Sequence, residues 1–403
     1  MISDKTTLAA SWSLPKRLTW HPFARLFEQL HVGHLRLRIG QTVHELHGEQ
    51  PGLSAEIAIH HPLNFARHIA TRGHVGLGEA YLAGDWDSPD LSVLIQLLAS
   101  NQRVLGKLHS GTWHQRLGVW LKHRLRPNSR RGSRRNIAAH YDLGNDFYAL
   151  WLDPSMTYSA AIFADPAESL EQAQQTKYHH LLALLDPAPG SHLLEIGCGW
   201  GGFARYAAAA GHRVTGVTLS REQLAWAVQQ QAISRDADRM EFRLQDYRDI
   251  RDQFDHIVSI EMFEAVGETY WPIYMQTLKQ RLRPGGRAAL QVIVIDERDF
   301  ADYQSNPDFI QRYIFPGGML PTVERFDQAA QAAGLTVGAR HCYGLDYAHT
   351  LALWQRRFVE NSEAVRGLGY DERFIRMWRY YLAYCEAGFR EQRVNVMQVI
   401  LHA

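Results

Sequence analysis

From residue 190 onward, short apolar runs alternate with stretches in which apolar residues recur every three or four positions. That is the pattern of strands and helices following one another. It predicts strands at 192–197, 213–219, 240–245, 254–261 and 287–295, and helices near 201–210, 221–234 and 268–283. Gly285-Gly286 marks the turn into the fifth strand. A long loop is expected over 296–320, then a helix near 323–333, a strand at 335–342, a helical stretch from 349 to 388 and a last strand at 394–402. Strands and helices in this order make an α/β fold with a doubly wound sheet.

The first part of the chain carries a different pattern. An apolar and aromatic stretch around Trp20, Phe23 and Phe27 is followed by alternation at Leu35-Arg36-Leu37-Arg38-Ile39 and from Leu53 to Ile59. A period of two predicts a small hairpin or sheet. The Gly-rich piece GHVGLGEAYLAGDWDSP, 73–89, reads as tight turns ending in a helix cap before the apolar run Leu91 to Leu98. The organisation expected is a smaller α+β domain over 1–121, a basic linker over 122–136 and a catalytic domain over 137–403.

Composition narrows the class. With 403 residues and 46% hydrophobic content the chain can build two ordinary cores, and a net charge of +1 argues against a chain-wide polyanion partner. Cys198, Cys342 and Cys385 have no paired or metal-type spacing, so neither a disulfide framework nor a metal site is expected. The N-terminus lacks a signal-peptide core, and no apolar run reaches the roughly 18 residues that span a bilayer. A cytoplasmic protein that meets membranes only peripherally fits these features. Charge is nevertheless uneven: KHRLRPNSRRGSRRN, 122–136, holds seven Lys or Arg and no acid, so the remainder nets −6. The strip reads either as a solvated linker or as a contact for anionic lipid headgroups at the inner face of a membrane. No nucleic-acid module stands beside it, and nucleic acid is not an expected partner.

The segment HLLEIGCGWGG, 192–202, is a strand running into a Gly-rich turn and a helix. Gly197, Gly199 and Gly202 satisfy GxGxxG, a weak signal by itself. Two features point to S-adenosylmethionine (SAM) instead of a dinucleotide. The acid expected on a nucleotide ribose is missing from Val217-Thr218-Leu219-Ser220, and Glu195 stands two residues before Gly197, where a carboxylate can meet the cationic amino-acid end of SAM. Thr218, Ser220 and Gln223 can hydrogen-bond the ribose, and Gln245-Asp246-Tyr247, at the end of the third strand, can recognise adenine. The cofactor-binding set is therefore Tyr158, Ser159, Glu195, Gly197, Cys198, Gly199, Gly201, Thr218, Leu219, Ser220, Gln223, Gln245, Asp246 and Tyr247; Tyr158 and Ser159 enter it by the resemblance that follows.

The runs HYDLGNDFYALWLDPSMTYSAAIF (140–163), LLEIGCGWGG, GVTLSREQ (216–223), QDYRD (245–249), SIEMFEAVG (259–267), DFIQRYIFPGGMLP (308–321) and GLDYAHTLALW (344–354) resemble the cyclopropane-fatty-acyl-phospholipid synthase family. These are SAM enzymes related to the mycolic acid cyclopropane synthases. The resemblance covers 140–403 in order, and the first half more loosely through GLGEAYLAGDWD. It implies a Rossmann-like methyltransferase domain that adds a SAM methyl to a cis double bond of a phospholipid acyl chain, with proton loss closing a cyclopropane. An alkene is a poor nucleophile, so positioning supplies most of the catalysis, and aromatic faces can stabilise the cation. The matching segments supply Tyr141, Phe147, Tyr148, Trp151, Tyr158, Phe163, Phe263, Tyr313 and Phe315 for that purpose.

The resemblance further implies a bound bicarbonate as proton acceptor, held by Glu264, Tyr347 and the backbone of Ile293. Three positions depart from the pattern: Ala160 replaces a cysteine, Gln291 a histidine and Ala265 a histidine. Gln291 can donate a hydrogen bond but cannot carry a proton. The catalytic set is thus Glu264, Tyr347, Gln291, Ile293 and Ala160, with either bicarbonate or Glu264 itself as the base. A C-methyltransferase making methyl- or methylene-branched chains and a small-molecule methyltransferase are the alternative readings. A homodimer is left open.

Overall fold

The computed structural model describes residues 29–102 and 143–403. Trp20, Phe23, Phe27, the strip 122–136 and Tyr141 lie outside the described residues. The described chain forms two compact units, one from 29–102 with 369–391, the other from 143–368 with 392–403. The expected single break between domains is therefore incomplete, because a late segment joins the first unit.

In that first unit a four-stranded sheet runs in the order β2-β1-β3-β4, with β1 Val32–Ile39, β2 Thr42–His47, β3 Gln50–Ile59 and β4 Trp86–Asp87. Leu35 and Leu37 are buried while Arg36 and Arg38 are not, as the period of two requires. The two predicted strands pair parallel, β1 with β3, and the hairpin partner of β1 is β2, which the alternation did not reveal. Residues 73–82, expected as turns, are helical within Pro62–Leu82, which kinks at Gly73, φ 54°. A Cβ at Gly76 would strike the His68 carbonyl, so small residues here serve a close backbone approach. The expected cap is Asp90, whose carboxylate accepts from Val93 N at the start of helix Leu91–Ser100. The late segment is helix Glu372–Arg390, whose apolar stripe Ile375, Trp378, Leu382 and Phe389 is buried. Glu386 accepts from Ser92 Oγ at 2.7 Å, and the Arg376 guanidinium lies 4.0 Å over the Tyr81 ring.

The second unit is built on a seven-stranded sheet, order β10-β11-β9-β8-β5-β6-β7. Its strands are β5 His192–Ile196, β6 Arg213–Thr218, β7 Met240–Leu244, β8 Phe254–Ile260, β9 Leu282–Ile295, β10 Thr336–Cys342 and β11 Val394–His402. β5 to β9 pair in parallel and β11 runs antiparallel between β9 and β10. Successive residues feed opposite cores: Leu194 joins Phe263, Trp271 and Phe326 on one face, and Leu193 joins Tyr178, Leu181 and Phe203 on the other. Helices on both faces explain why these strands read as continuous apolar runs. The sheet reverses direction of winding at β5 and β8, the place where open α/β sheets hold ligands beyond the strand ends.

The stretch 296–320 is not a bare loop. It holds helices Glu297–Ser305 and Phe309–Tyr313, each opened by an aspartate cap, Asp296 and Asp308. The first is mostly polar and the second is only five residues long, so no apolar period announced them. The helical stretch from 349 is three helices, Gly344–Glu360, Ser362–Gly367 and Glu372–Arg390.

Candidate active site

Beyond the carboxyl ends of β5, β6 and β7 lies a cleft lined by Tyr158, Glu195, Gly199, Thr218, Gln245 and Glu261, among others. It encloses about 930 Å³ of space free of atoms, its open mouth included, a size typical of cofactor sites. Its floor is the Gly-rich turn. Gly197, Gly199 and Gly201 all have positive φ, at 78°, 52° and 79°, and so bend the chain from β5 into helix Gly202–Ala209. A Cβ at Gly197 would sit 2.7 Å from Met262 Cγ, whereas one at Gly199 would meet nothing within 4 Å.

Most of the predicted cofactor residues meet at this cleft. Tyr158, Ser159, Glu195, Gly197, Cys198, Gly199, Thr218, Leu219, Gln223, Gln245 and Tyr247 line it. Ser220 works behind the wall, capping helix Arg221–Ala232 by accepting from Gln223 N. Thr218 Oγ1 donates to Gln223 Oε1 at 2.8 Å, which holds two groups of the cleft wall in one geometry. Asp246 does not reach the cleft wall: its carboxylate takes the Arg248 fork through Nε at 2.8 Å and Nη2 at 2.7 Å. Tyr158 is held among the rings of Tyr148, Trp151 and Trp354, with centroids 5.3–5.5 Å away. Phe263, by contrast, stacks on Trp271 in the core.

The cleft suits a cationic ligand. Glu195 is buried, its Oε2 has no hydrogen-bond partner among the described residues, and burial raises its carboxyl to about 8. The positive end of SAM's amino-acid group would compensate that burial. Lys177 also stands behind this wall, unanticipated by the sequence reading. It is fully buried, donates to Ser159 Oγ at 2.7 Å, and is pushed down to about 7 by desolvation, against the pull of Glu261, Asp153 and Glu195. Its one sequence signal is its place in the buried stripe Ala173, Gln174, Lys177, Tyr178, Leu181 of helix Leu170–Leu185.

The predicted catalytic residues are brought close, but around a different centre. Glu261, inside the quoted run SIEMFEAVG, accepts at Oε1 from Ala160 N and Gln291 Nε2, both at 2.8 Å, and at Oε2 from Tyr347 O–H at 2.8 Å. The Gln291 amide is oriented from behind, since its Oε1 accepts from Gln398 Nε2 at 2.9 Å and its second N–H reaches Ala160 O at 3.2 Å. Glu261 lines the cleft and carries a left-handed backbone, φ 50°. A side chain in that region costs on the order of 1 kcal/mol and is found where function over-determines the geometry. An acid closing a strand at the carboxyl edge of the sheet was the available signal for it.

Glu264, on the turn Phe263–Val266, is held separately. Its Oε1 accepts from Ile293 N, its Oε2 has no hydrogen-bond partner among the described residues, and burial first, then the charge of Glu261, raises it to about 8. Glu261 is raised as well by burial, while its three donors and Lys177 pull it down. The expectation that Glu264, Tyr347 and Ile293 bracket a bicarbonate therefore does not match the arrangement. Every donor named for that ion is already spent on a carboxylate of the chain, and the residues present do not fit it.

Comparison with known proteins agrees with this architecture. Residues 128–399 match the family model for mycolic acid cyclopropane synthetase. Tuberculostearic acid methyltransferase UfaA1 of Mycobacterium tuberculosis is 40% identical over 375 residues, covering 91% of this chain and 87% of that protein. Cyclopropane-fatty-acyl-phospholipid synthase of Escherichia coli is 35% identical over 360 residues, 86% of this chain and 87% of that one. The crystal structure of mycolic acid cyclopropane synthase CmaA1 complexed with SAH and CTAB superposes with a TM-score of 0.63 at 30% identity, over 67% of this chain and 98% of that one. The strand order, the Gly-rich cleft and these matches together make the chain a member of the mycolic acid cyclopropane synthase family, an enzyme of the SAM-dependent methyltransferase type.

Proposed function

We propose that the enzyme transfers the methyl group of SAM to a cis double bond of an unsaturated phospholipid acyl chain, with cyclopropane closure as the first outcome. The observation that carries this reading is the placing of the Glu261 carboxylate on the wall of the Gly-rich cleft. SAM supplies an electrophilic methyl. The chain's own groups then have two tasks: to hold an unreactive alkene in line with that methyl, and to take up a proton afterwards. The ring cluster around Tyr158 offers faces that stabilise a cation without bonding to it. The E. coli relative, named for fatty-acyl phospholipid, favours that substrate class.

A second reading has its own support. In it the added carbon stays as a methyl or methylene branch, which accords with Gln291 and Ala160 in place of titratable side chains and with the tuberculostearic acid methyltransferase match. Access to phospholipid would be peripheral, at the inner face of a membrane, a reading that the seven Lys or Arg of 122–136 support; no helix among the described residues is long and apolar enough to cross one. Mass spectrometry of lipids from cells expressing the chain tests the proposal. A gain of one CH2 per unsaturated acyl chain is expected. High-field ring protons in the NMR spectrum would mark cyclopropane, and the olefinic signals of a C=CH2 branch would mark the methylene product. Unaltered acyl chains would refute it.

A further inference from the structure

We infer that Glu261 is the proton acceptor of the reaction, its carboxylate standing in the chain's own structure where the resemblance places a bound bicarbonate. The inference rests on the acyl-chain methylation proposed above. Bicarbonate and a carboxylate present the same face, two oxygens sharing one negative charge, and so they are recognised by the same donors. Here those donors are Ala160 N, Gln291 Nε2 and Tyr347 O–H, and all three end on Glu261.

Two neighbouring carboxyl groups compete for the role. When two such groups interact, the one better supplied with hydrogen bonds ionises first and its charge keeps the other neutral. Glu261 has three donors and feels the charge of Lys177 on helix Leu170–Leu185, whereas Glu264 has the Ile293 amide and a second oxygen that no hydrogen bond reaches among the described residues. Glu261 is thus the ionised member, and Glu264 holds the strand end of β9 in place. Glu261 also lines the cleft directly, which Glu264 does not. The left-handed φ at 261 is the local cost of turning a carboxylate onto that wall.

The chemistry balances without any added reactant. The alkene electron pair bonds to the methyl carbon as its bond to sulfur breaks, and sulfur keeps that pair in the departing S-adenosylhomocysteine. A C–H bond of the transferred carbon then gives its electron pair to the cationic carbon, the other of the two former alkene carbons, closing the ring, and the proton passes to a Glu261 oxygen. If a hydride shifts first, loss of a proton from the same transferred carbon forms the methylene instead. Either product leaves Glu261 protonated, to be discharged to solvent through the open cleft.

Glu261→Gly tests this, because glycine accepts the left-handed backbone without strain and should keep the fold. Turnover of SAM with vesicles of unsaturated phosphatidylglycerol is measured in bicarbonate-free buffer and with added bicarbonate or formate. Wild-type rates should be the same in both. The variant should lose about a hundredfold or more, as expected for removing a general base, and recover saturably with the added anion. Binding of labelled bicarbonate, followed by NMR, reads the same pocket without needing lipid turnover: the variant should bind it and the wild type should not. A wild type that binds bicarbonate or requires it, or a Gly variant with wild-type turnover, overturns the inference. Failure of the wild type to methylate any acyl chain would instead refute the proposed function, and the binding arm would still decide between carboxylate and ion.

Discussion

The Tyr347 hydroxyl donates to Glu261 Oε2 at 2.8 Å, while Glu264, three residues on, takes the Ile293 amide. A hydrogen bond to a charged group contributes roughly 1.5–3 kcal/mol, so Tyr347→Phe should slow turnover by about one to two orders of magnitude. The sign of the pH effect follows from what the bond stabilises. Tyr347 favours ionised Glu261 and lowers its pKa against burial. Its loss should move the acid limb of the pH–rate profile to higher pH, with SAM affinity unchanged by calorimetry. A lower rate with an unmoved limb would assign Tyr347 to packing alone.

Gly199→Ala should weaken SAM binding more than it weakens the fold. No atom stands within 4 Å of the added methyl, so the damage comes from the positive φ, about 1 kcal/mol, and from a methyl entering the cleft. Gly197→Ala differs, because its methyl meets Met262 Cγ at 2.7 Å and should lower thermal stability as well. Calorimetric titration with SAM alongside thermal melts separates the two. Wild-type SAM affinity in Gly199→Ala would show that the turn does not face the cofactor.

The centre of the sheet was legible because its buried strands carry apolar runs, and all seven strands, the more exposed β7 and β10 included, lie within about five residues of their expected places. The glycine turn, Thr218, Gln223 and Gln245 followed, since a strand's carboxyl end fixes where its next residues point. The short helices between 296 and 320 were hidden because capping, and not an apolar stripe, defines them. Glu261 was hidden for another reason: two glutamates three residues apart on one turn look interchangeable in sequence. Only the third dimension shows that Ala160, Gln291 and Tyr347, from three distant segments, all select the first. The membership of Glu372–Arg390 in the first unit also depends on partners almost 300 residues away, Ser92 among them.

Buried Glu195 and Glu264 predict a pH-dependent stability in the absence of SAM. Both carboxyls are raised from 4.5 to about 8, so the stability they contribute is complete below about pH 4.5 and is lost as pH rises toward about 8. Lys177, lowered to about 7, acts in the opposite sense but only above that value. Between about pH 5 and pH 7 these carboxyls, joined by Glu261 and Asp346 raised in the same sense, oppose His44, His192, His212 and His256, which burial lowers from 6.5; the two large carboxyl shifts decide the sign, and the melting temperature should fall as pH rises. SAM should flatten the slope through Glu195, and Glu195→Gln should flatten it without SAM. A slope indifferent to both would remove Glu195 from the cofactor's charged end.

The basic strip sets the last expectation, because a net charge of +1 gives the rest of the chain no general attraction to an anionic surface. Each Lys or Arg near such a surface contributes about 1 kcal/mol, and the attraction fades within a Debye length of about 8 Å at physiological salt. Neutralising Arg130, Arg131, Arg134 and Arg135 together should weaken sedimentation with anionic vesicles by a factor of a hundred or more, on the order of what losing four such contacts implies. The salt dependence of binding should shrink with it. Turnover of detergent-dispersed lipid should change far less, since no charged surface has to be approached there. Equal vesicle binding by the quadruple variant and the wild type would leave 122–136 as a solvated linker, and the contact with lipid would have to be sought on another surface.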